Sequence, residues 1–277
     1  MQVFISADME GIAGVATLAD VSRGEAGYDA AAERMLADVN AAVRGAIEAG
    51  ATDVLVNDSH GPMDNLDPGG LHPSASLIRG NRKPRSMMQG LRAEHDVAFL
   101  IGYHAMAGTP EATLDHTYLG SDVVSVRVND REVGELGANA GLARSLGVPV
   151  GLVTGDDKTT AEAAAELGDV PTVVVKEGLD RFTAKCRPVE AARGDIEATA
   201  REGIERASAG DLAQPVPDEP TTIEVDWATT NLARAGARVG NVELVDGRTN
   251  RVVAADYASA YEGMIDVIRA SGAGTVD

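Results

Sequence analysis

The stretch Gln2-Val3-Phe4-Ile5-Ser6, followed after Ala7 by Asp8-Met9-Glu10-Gly11, gives the strongest indication of the fold of this 277-residue chain. The first five residues are mostly apolar and β-prone, which predicts a buried strand. The two carboxylates that follow need an explanation, because Asp and Glu are seldom buried without a partner. Taken alone, this acidic pair fits a solvated turn about as well as a binding site. Two later strands end in similar polar residues, and that repetition favours a site.

The segments after the first strand predict a parallel sheet. Apolar residues recur at helical spacing between residues 28 and 48, and a second strand covers residues 53–57. A strand, a helix and a second strand imply parallel pairing with a right-handed crossover. The apolar run at residues 97–101 suits a strand that is covered on both faces. We therefore expect an α/β fold with three layers, in which a mostly parallel sheet is flanked by helices.

The pattern changes near residue 187. A long Ala-rich helix is predicted at residues 189–207, a Pro-rich break follows it, and Asp246-Gly247 predicts the turn of a β-hairpin. A final helix is predicted at residues 256–268. We place a catalytic α/β domain at residues 1–187 and a smaller α+β C-terminal domain at residues 188–277.

Composition excludes several classes of partner. The chain has 43 Asp and Glu residues against 24 Lys and Arg, a net charge of -19. Such an acidic surface repels nucleic acid and anionic membranes, and no apolar stretch approaches the roughly 20 residues that span a bilayer. We see no secretory signal, and the single cysteine, Cys186, fits a reducing compartment. A cytoplasmic protein is therefore expected, with Cys186 as a small buried side chain.

Polar residues at three strand ends predict a metal site. Asp8 and Glu10 follow the first strand, His60 follows the second, and His104 follows the run at residues 97–101. Ligands of parallel sheets lie outside the carboxyl ends of the strands. Carboxylates and imidazoles are the ligands that zinc and its first-row neighbours prefer. A lone histidine is more often structural, but two beside an Asp-x-Glu pair favour a metal.

Other polar residues are less decisive. Glu135 begins a predicted helix, where the helix dipole favours a carboxylate, and the pattern alone favours an exposed glutamate there. Asn139 could reach the site or pack inside the fold. Asp156 is expected to cap the next helix. Ser6 and Ser59 lie beside the candidate ligands and are expected to support them by hydrogen bonds.

Several ordered blocks resemble one known family. The segment Ser6-Ala7-Asp8-Met9-Glu10-Gly11 matches the Ser-x-Asp-x-Glu-Gly signature of the zinc-dependent D-aminopeptidase family, the DppA-type dinuclear zinc peptidases. The likeness is good over the first domain and weak after about residue 187. The other matching blocks are Val56-Asn57-Asp58-Ser59-His60, Gly102-Tyr103-His104-Ala105, His116-Thr117 and Val133-Gly134-Glu135-Leu136-Gly137-x-Asn139.

The resemblance implies a dinuclear site with two Zn²⁺ ions per subunit. Asp8 would bridge the ions. Glu10 and His104 would complete the site of one ion, and His60 with Glu135 the site of the other. We find no substitution at these positions.

The resemblance also implies an activity. It predicts a metallopeptidase that hydrolyses the N-terminal amide bond of short peptides or aminoacyl amides, with D-amino acids expected, by metal-activated water. His116 would be the catalytic residue outside the metal shell, and we interpret it as an acid/base group and not as a nucleophile. The family further implies a homo-oligomer, a decamer that encloses its active sites.

Two alternatives remain open at this point. A dinuclear metal phosphoesterase would use the same ligand types, although the sequence lacks a Gly-rich phosphate cradle. A peptide-binding or transport-associated protein could hold the metal without turnover.

Overall fold

The computed structural model describes residues 1–272. The strands are β1 (Gln2–Ala7), β2 (Asp53–Asp58), β3 (Ala75–Ile78), β4 (Val97–Ile101), β5 (Val123–Val128), β6 (Arg131–Val133), β7 (Val150–Asp156), β8 (Thr172–Asp180), β9 (Thr183–Cys186), β10 (Thr221–Trp227), β11 (Val242–Leu244) and β12 (Thr249–Ala254). The helices are α1 (Leu18–Val21), α2 (Tyr28–Glu48), α3 (Glu135–Ser145), α4 (Asp157–Leu167), α5 (Val189–Ala209), α6 (Thr230–Gly236) and α7 (Tyr257–Gly272), with a 3₁₀ turn at Ser86–Met88.

Seven strands form a mostly parallel sheet in the order β3-β2-β1-β4-β7-β8-β9. β1 lies between β2 and β4, so that Ser6 is level with Asn57 on one side and Leu100 on the other. The edge strand β9 is antiparallel to its neighbour β8. β1, α2 and β2 form the predicted strand–helix–strand unit. Because β4 lies on the other side of β1, the ends of three strands that precede predicted ligands lie side by side.

Helices cover both faces of this sheet, and this explains why its central strands are apolar throughout. Val3 and Ile5 belong to one core together with Val39 of α2, whereas Phe4 belongs to a second core together with Leu136 of α3. All five residues of β4 are buried. Burying both faces of a strand removes the alternation of polar and apolar residues. The predicted three-layer α/β arrangement is confirmed.

A second, antiparallel sheet has the order β11-β12-β10-β5-β6. Its fully buried Trp227 shares a core with Met264 of α7 and donates a hydrogen bond to Asn250 Oδ1 at 2.8 Å. The predicted hairpin is formed by β11 and β12. α3 starts two residues after β6 ends and returns the chain to the parallel sheet.

Elements on both sides of residue 187 pack together. β10 pairs with β5, and α5 shares a core with α2 and β1. The division into domains at residues 1–187 and 188–277 stays a prediction. Cys186 is exposed, so its expected burial is wrong; it ends the edge strand β9, where few elements cover it. Among residues 1–272, no helix is both long and apolar enough to cross a membrane.

Candidate metal centre

The ends of β2, β1 and β4 are tied together by main-chain hydrogen bonds. The amide of Asp8 donates to the carbonyl of Ile101 at 2.8 Å, and the amide of Ser59 donates to the carbonyl of Ala7 at 2.8 Å. The loops after the three strands therefore start from fixed positions at one edge of the sheet. This edge carries four of the predicted site residues, namely Asp8, Glu10, His60 and His104.

His60 lies against the two carboxylates that follow β1. Its Nδ1 atom is 3.0 Å from Glu10 Oε2 and 3.4 Å from Asp8 Oδ1. Its Nε2 atom is 2.9 Å from the carbonyl oxygen of Val21 in α1. Because a carbonyl oxygen accepts hydrogen bonds, Nε2 carries a proton and Nδ1 remains as the atom that can bind a metal. The sequence pattern does not predict α1. This short helix orients the His60 ring through the carbonyl oxygen of Val21.

His104 contacts Asp8 from the opposite side. Its Nε2 atom is 3.5 Å from Asp8 Oδ2 and 3.3 Å from Glu135 Oε1. Its Nδ1 atom lies 3.0 Å from the carbonyl oxygen of Ala105, so Nδ1 holds the proton and Nε2 is left for a metal. Asp8 thus directs one oxygen toward each of two histidines. A bridging carboxylate needs this arrangement.

Glu135 and His116 complete the cluster. Glu135 is buried at the start of α3 and accepts a hydrogen bond from the amide of Tyr118, so the exposed position favoured by its pattern alone is wrong. The loop between β4 and β5, which carries Tyr118, therefore contacts the carboxylate of Glu135. His116 Nε2 is 3.7 Å from Glu135 Oε1. Its ring stacks on His104, with centroids 3.9 Å apart and planes 13° apart.

Opposite charges shift the ionisation of this cluster. Burial disfavours charge on each member, yet Glu10 raises the pKa of His60 well above its usual 6.5, and Glu135 does the same for His104. Burial, together with the charge of Glu10, raises the pKa of Asp8 to about 6. Three buried carboxylates therefore need positive charge beside them, from protonated imidazoles or from metal cations.

Two buried atoms test whether a metal fits. Among residues 1–272, neither Asp8 Oδ2 nor His104 Nε2 has a hydrogen-bond partner. A buried polar atom without a hydrogen-bond partner destabilises a fold by about 1–3 kcal/mol. A cation bound beside these two atoms would offset that loss. Potential ligand atoms lie within 4.8 Å of one another in two groups, Asp8 with Glu10 and His104, and His104 with His116 and Glu135. Zinc takes ligands of these kinds, and the donor set fits it.

The predicted ligands come together, but their division between two ions stays a prediction. The resemblance pairs Glu10 with His104 and His60 with Glu135. The shortest contacts are instead from His60 to Glu10 and from His104 to Glu135. Asp8 lies between both histidines, as a bridging ligand must.

A buried hydrogen-bond network supports the strand ends from below. The Ser6 and Ser59 hydroxyl oxygens are 2.9 Å apart, and Ser6 Oγ is 2.7 Å from the Tyr103 hydroxyl. Asn139 Nδ2 donates to that hydroxyl at 2.9 Å, and the Tyr261 hydroxyl donates to Asn139 Oδ1 at 2.6 Å. The two serines act through this network and are not bonded to the ligands themselves among the described residues. Sequence reasoning missed both tyrosines, since an aromatic residue in a buried segment gives no sign of its hydroxyl partner.

Two buried lysines hold the loops that carry ligands. Lys176 Nζ donates to the main-chain carbonyls of Glu10, Ile12 and Val15. Burial lowers the pKa of Lys176 to about 8. Lys83 Nζ donates to the carbonyl of Asp58 at 2.6 Å, close to the end of β2. Nothing in the local sequence pattern predicts a role for either lysine.

Two cavities reach the cluster. The larger, of about 720 Å³, has Asp8, Glu10, His60, His116 and Glu135 in its wall. A second cavity of about 440 Å³ also reaches Glu10 and His116, and the exposed apolar side chains of Leu18 and Phe182 line it. Volumes of this size suit small ligands, including short peptides.

Comparisons with known proteins agree with this geometry. A model of the D-aminopeptidase family, peptidase family M55, matches residues 1–265. A D-aminopeptidase of Bacillus subtilis (strain 168) is 36% identical over 267 residues, which make up 96% of each chain. The solved structure of the Zn-dependent D-aminopeptidase DppA from Bacillus subtilis, a self-compartmentalizing protease, has a TM-score of 0.93 at 32% identity and covers 98% of each chain. The similarity continues well past residue 187, where the short motifs had become weak.

Proposed function

The chain belongs to the D-aminopeptidase family, and on this premise we propose that it is a zinc-dependent aminopeptidase acting on short peptides or aminoacyl amides. It hydrolyses the N-terminal amide bond and prefers a D-residue there. One observation carries the proposal: Asp8 Oδ2 and His104 Nε2 face each other at 3.5 Å, buried and without a hydrogen-bond partner within residues 1–272. Burying these two atoms destabilises the fold unless a cation lies between or beside them.

We infer two zinc ions per subunit, with Asp8 shared between them. Glu10 with His104, and His60 with Glu135, would supply the remaining protein ligands. Support comes from the two oxygens of Asp8, each directed toward a different histidine. Zinc bound in such a site polarises a carbonyl group and activates water near neutral pH.

His116 is the acid/base residue of this proposal. Its Nδ1 atom lies 2.9 Å from the carbonyl oxygen of Leu114, so Nδ1 carries a proton and Nε2 can gain or lose one. The ring is partly exposed and forms part of the wall of both cavities. It can therefore hold a proton for the leaving amine or donate a hydrogen bond to the oxyanion that develops on the carbonyl.

We further propose a cytoplasmic homo-oligomer, a decamer as the family resemblance implies. Its support is the self-compartmentalizing character of the related protease, together with the apolar Leu18 and Phe182 exposed beside the second cavity. An enclosed chamber would admit short peptides and exclude folded proteins. Size-exclusion chromatography with light scattering measures the mass, and a monomer would contradict the proposal.

Paired substrates test the activity. Protein loaded with zinc should hydrolyse D-alaninamide much faster than L-alaninamide and should contain two zinc ions per chain by elemental analysis. Glu10→Ala should abolish hydrolysis while circular dichroism stays unchanged. Glu94→Ala, which changes an exposed glutamate, is the matched control and should keep full activity. Protein that binds zinc but cleaves no amide or peptide would instead support the binding-protein alternative.

A further inference from the structure

Two arginines line the 720 Å³ cavity that also contains the ligand cluster. Arg82 is exposed, and its side chain makes no hydrogen bond or ion pair with any residue in the range 1–272. Arg269 of α7 donates from its guanidinium group to the carbonyl oxygen of Lys83, the residue next to Arg82. This contact brings the side chain of Arg269 to the main chain at the residue next to Arg82, and both arginines line the same cavity.

Within residues 1–272, Arg82 makes no ion pair, and Arg269 pairs with Asp266 at 3.9 Å, a distance at the long end for such a contact. A guanidinium group binds a carboxylate through two parallel hydrogen bonds, and no other side chain matches that geometry as well. The wall therefore offers carboxylates and imidazoles at one place and two guanidinium groups at another, of which that of Arg82 has no ion pair within residues 1–272.

We propose that Arg82, with Arg269 beside it, binds the C-terminal carboxylate of the peptide substrate and so determines its length. This inference rests on the proposed aminopeptidase function. A short peptide has an amine at one end and a carboxylate at the other. With the scissile amide at the ligand cluster, the part of the peptide beyond it lies in the larger cavity and ends near Arg82. Peptides with a free carboxylate are thus selected over amides of the same length.

The test compares one peptide in two forms, D-alanylglycine and D-alanylglycinamide, which differ in the terminal charge alone. Release of D-alanine is followed by chromatography for zinc-loaded wild type, Arg82→Asn and Arg92→Asn. Asparagine suits position 82 because the backbone there is left-handed, with φ of 62°. Arg92 is exposed and lies outside the cavity, so its variant makes the same charge change elsewhere.

Wild type should favour the free acid in kcat/KM by about tenfold or more, mainly through KM, as one charge-assisted hydrogen-bond pair would give. Arg82→Asn should reduce that ratio toward one, and Arg92→Asn should keep the wild-type ratio. Equal hydrolysis of both forms by wild type, or an equal loss for both forms in Arg82→Asn, would overturn the inference while leaving the proposed function intact. Hydrolysis of neither form by wild type would refute the proposed function and this inference with it.

Discussion

Replacing Lys176 by methionine should weaken both the fold and the metal centre. The lysine is fully buried, and its ammonium group donates to the carbonyls of Glu10, Ile12 and Val15. Methionine fills nearly the same volume but leaves the carbonyl oxygens of Glu10 and Val15 without a donor among residues 1–272, whereas that of Ile12 still accepts from the amide of Val15 at 3.2 Å. The loop that they belong to carries Glu10, so the loss acts directly on one predicted ligand.

The size of the effect follows from two opposing terms. Two buried carbonyls left without a donor lose about 1–3 kcal/mol each, about 4 kcal/mol together. Burial lowers the pKa of Lys176 from 10.5 to about 8, so holding the charged form in the fold costs about 3 kcal/mol at 1.36 kcal/mol per pKa unit. Removing the ammonium group recovers that cost. The net loss of unfolding free energy is therefore about 1 kcal/mol.

Thermal unfolding at fixed protein concentration measures this loss. At about 2 °C per kcal/mol for a chain of this size, the melting temperature of Lys176→Met should fall by about 2 °C. Zinc affinity, measured by competition with a chelator, should fall about 10- to 100-fold because the ligand loop loses its support. Lys185→Met is the matched control, since Lys185 is exposed on β9 and its ion pair, with Glu177, is at the surface. An unchanged melting temperature and zinc affinity in Lys176→Met would refute this account of the loop.

Three further results are expected. His116→Ala should lower kcat about 10²- to 10⁴-fold yet keep its zinc by elemental analysis; loss of the metal would show that His116 is a ligand instead. Zinc at about 1,000 times its Kd stabilises the folded chain by about 4 kcal/mol, so removing it with a chelator should lower the melting temperature by about 8 °C, reversibly. An unchanged melting temperature in the presence of the chelator would contradict a metal site. Burial raises the pKa of Asp38 to about 6 against 3.8 unfolded, so its ionised form costs about 3 kcal/mol above pH 6, and this cost disappears as the pH falls toward 4. The stability of wild type relative to Asp38→Asn should therefore rise between pH 6 and pH 4, and parallel pH profiles would exclude this effect.

The sequence predicted the parts of the fold that short-range patterns determine. The apolar runs of β1 and β4 and the helical spacing of α2 each report burial directly, since the same periodicity decides which residues face the core. Asp156 was expected to cap a helix, and its carboxylate does accept from two amides at the start of α4. Because His60 and His104 each follow a parallel strand, the sequence also predicted that both lie at one edge of the sheet, although it did not predict the loop conformations.

The remainder depended on contacts between distant segments. Glu135 has the same local pattern whether its helix start is exposed or covered, and a loop from elsewhere in the chain covers it. Lys176 lies in a strand whose apolar neighbours hide its partners, which are more than 160 residues away. Short elements such as α1 and α6 have too few residues for periodicity to reveal them.

The route of the chain through α3 has a consequence for metal binding. Asp8, Glu10, His60 and His104 follow strands of the parallel sheet, while Glu135 comes directly after the hairpin β5–β6 of the other sheet. An ion bound by Glu135 together with any of the other four would connect the two sheets, so its affinity would depend on how the sheets pack against each other. A substitution that shifts one sheet relative to the other should therefore change the affinity for the metal, even where it lies far from the cavity.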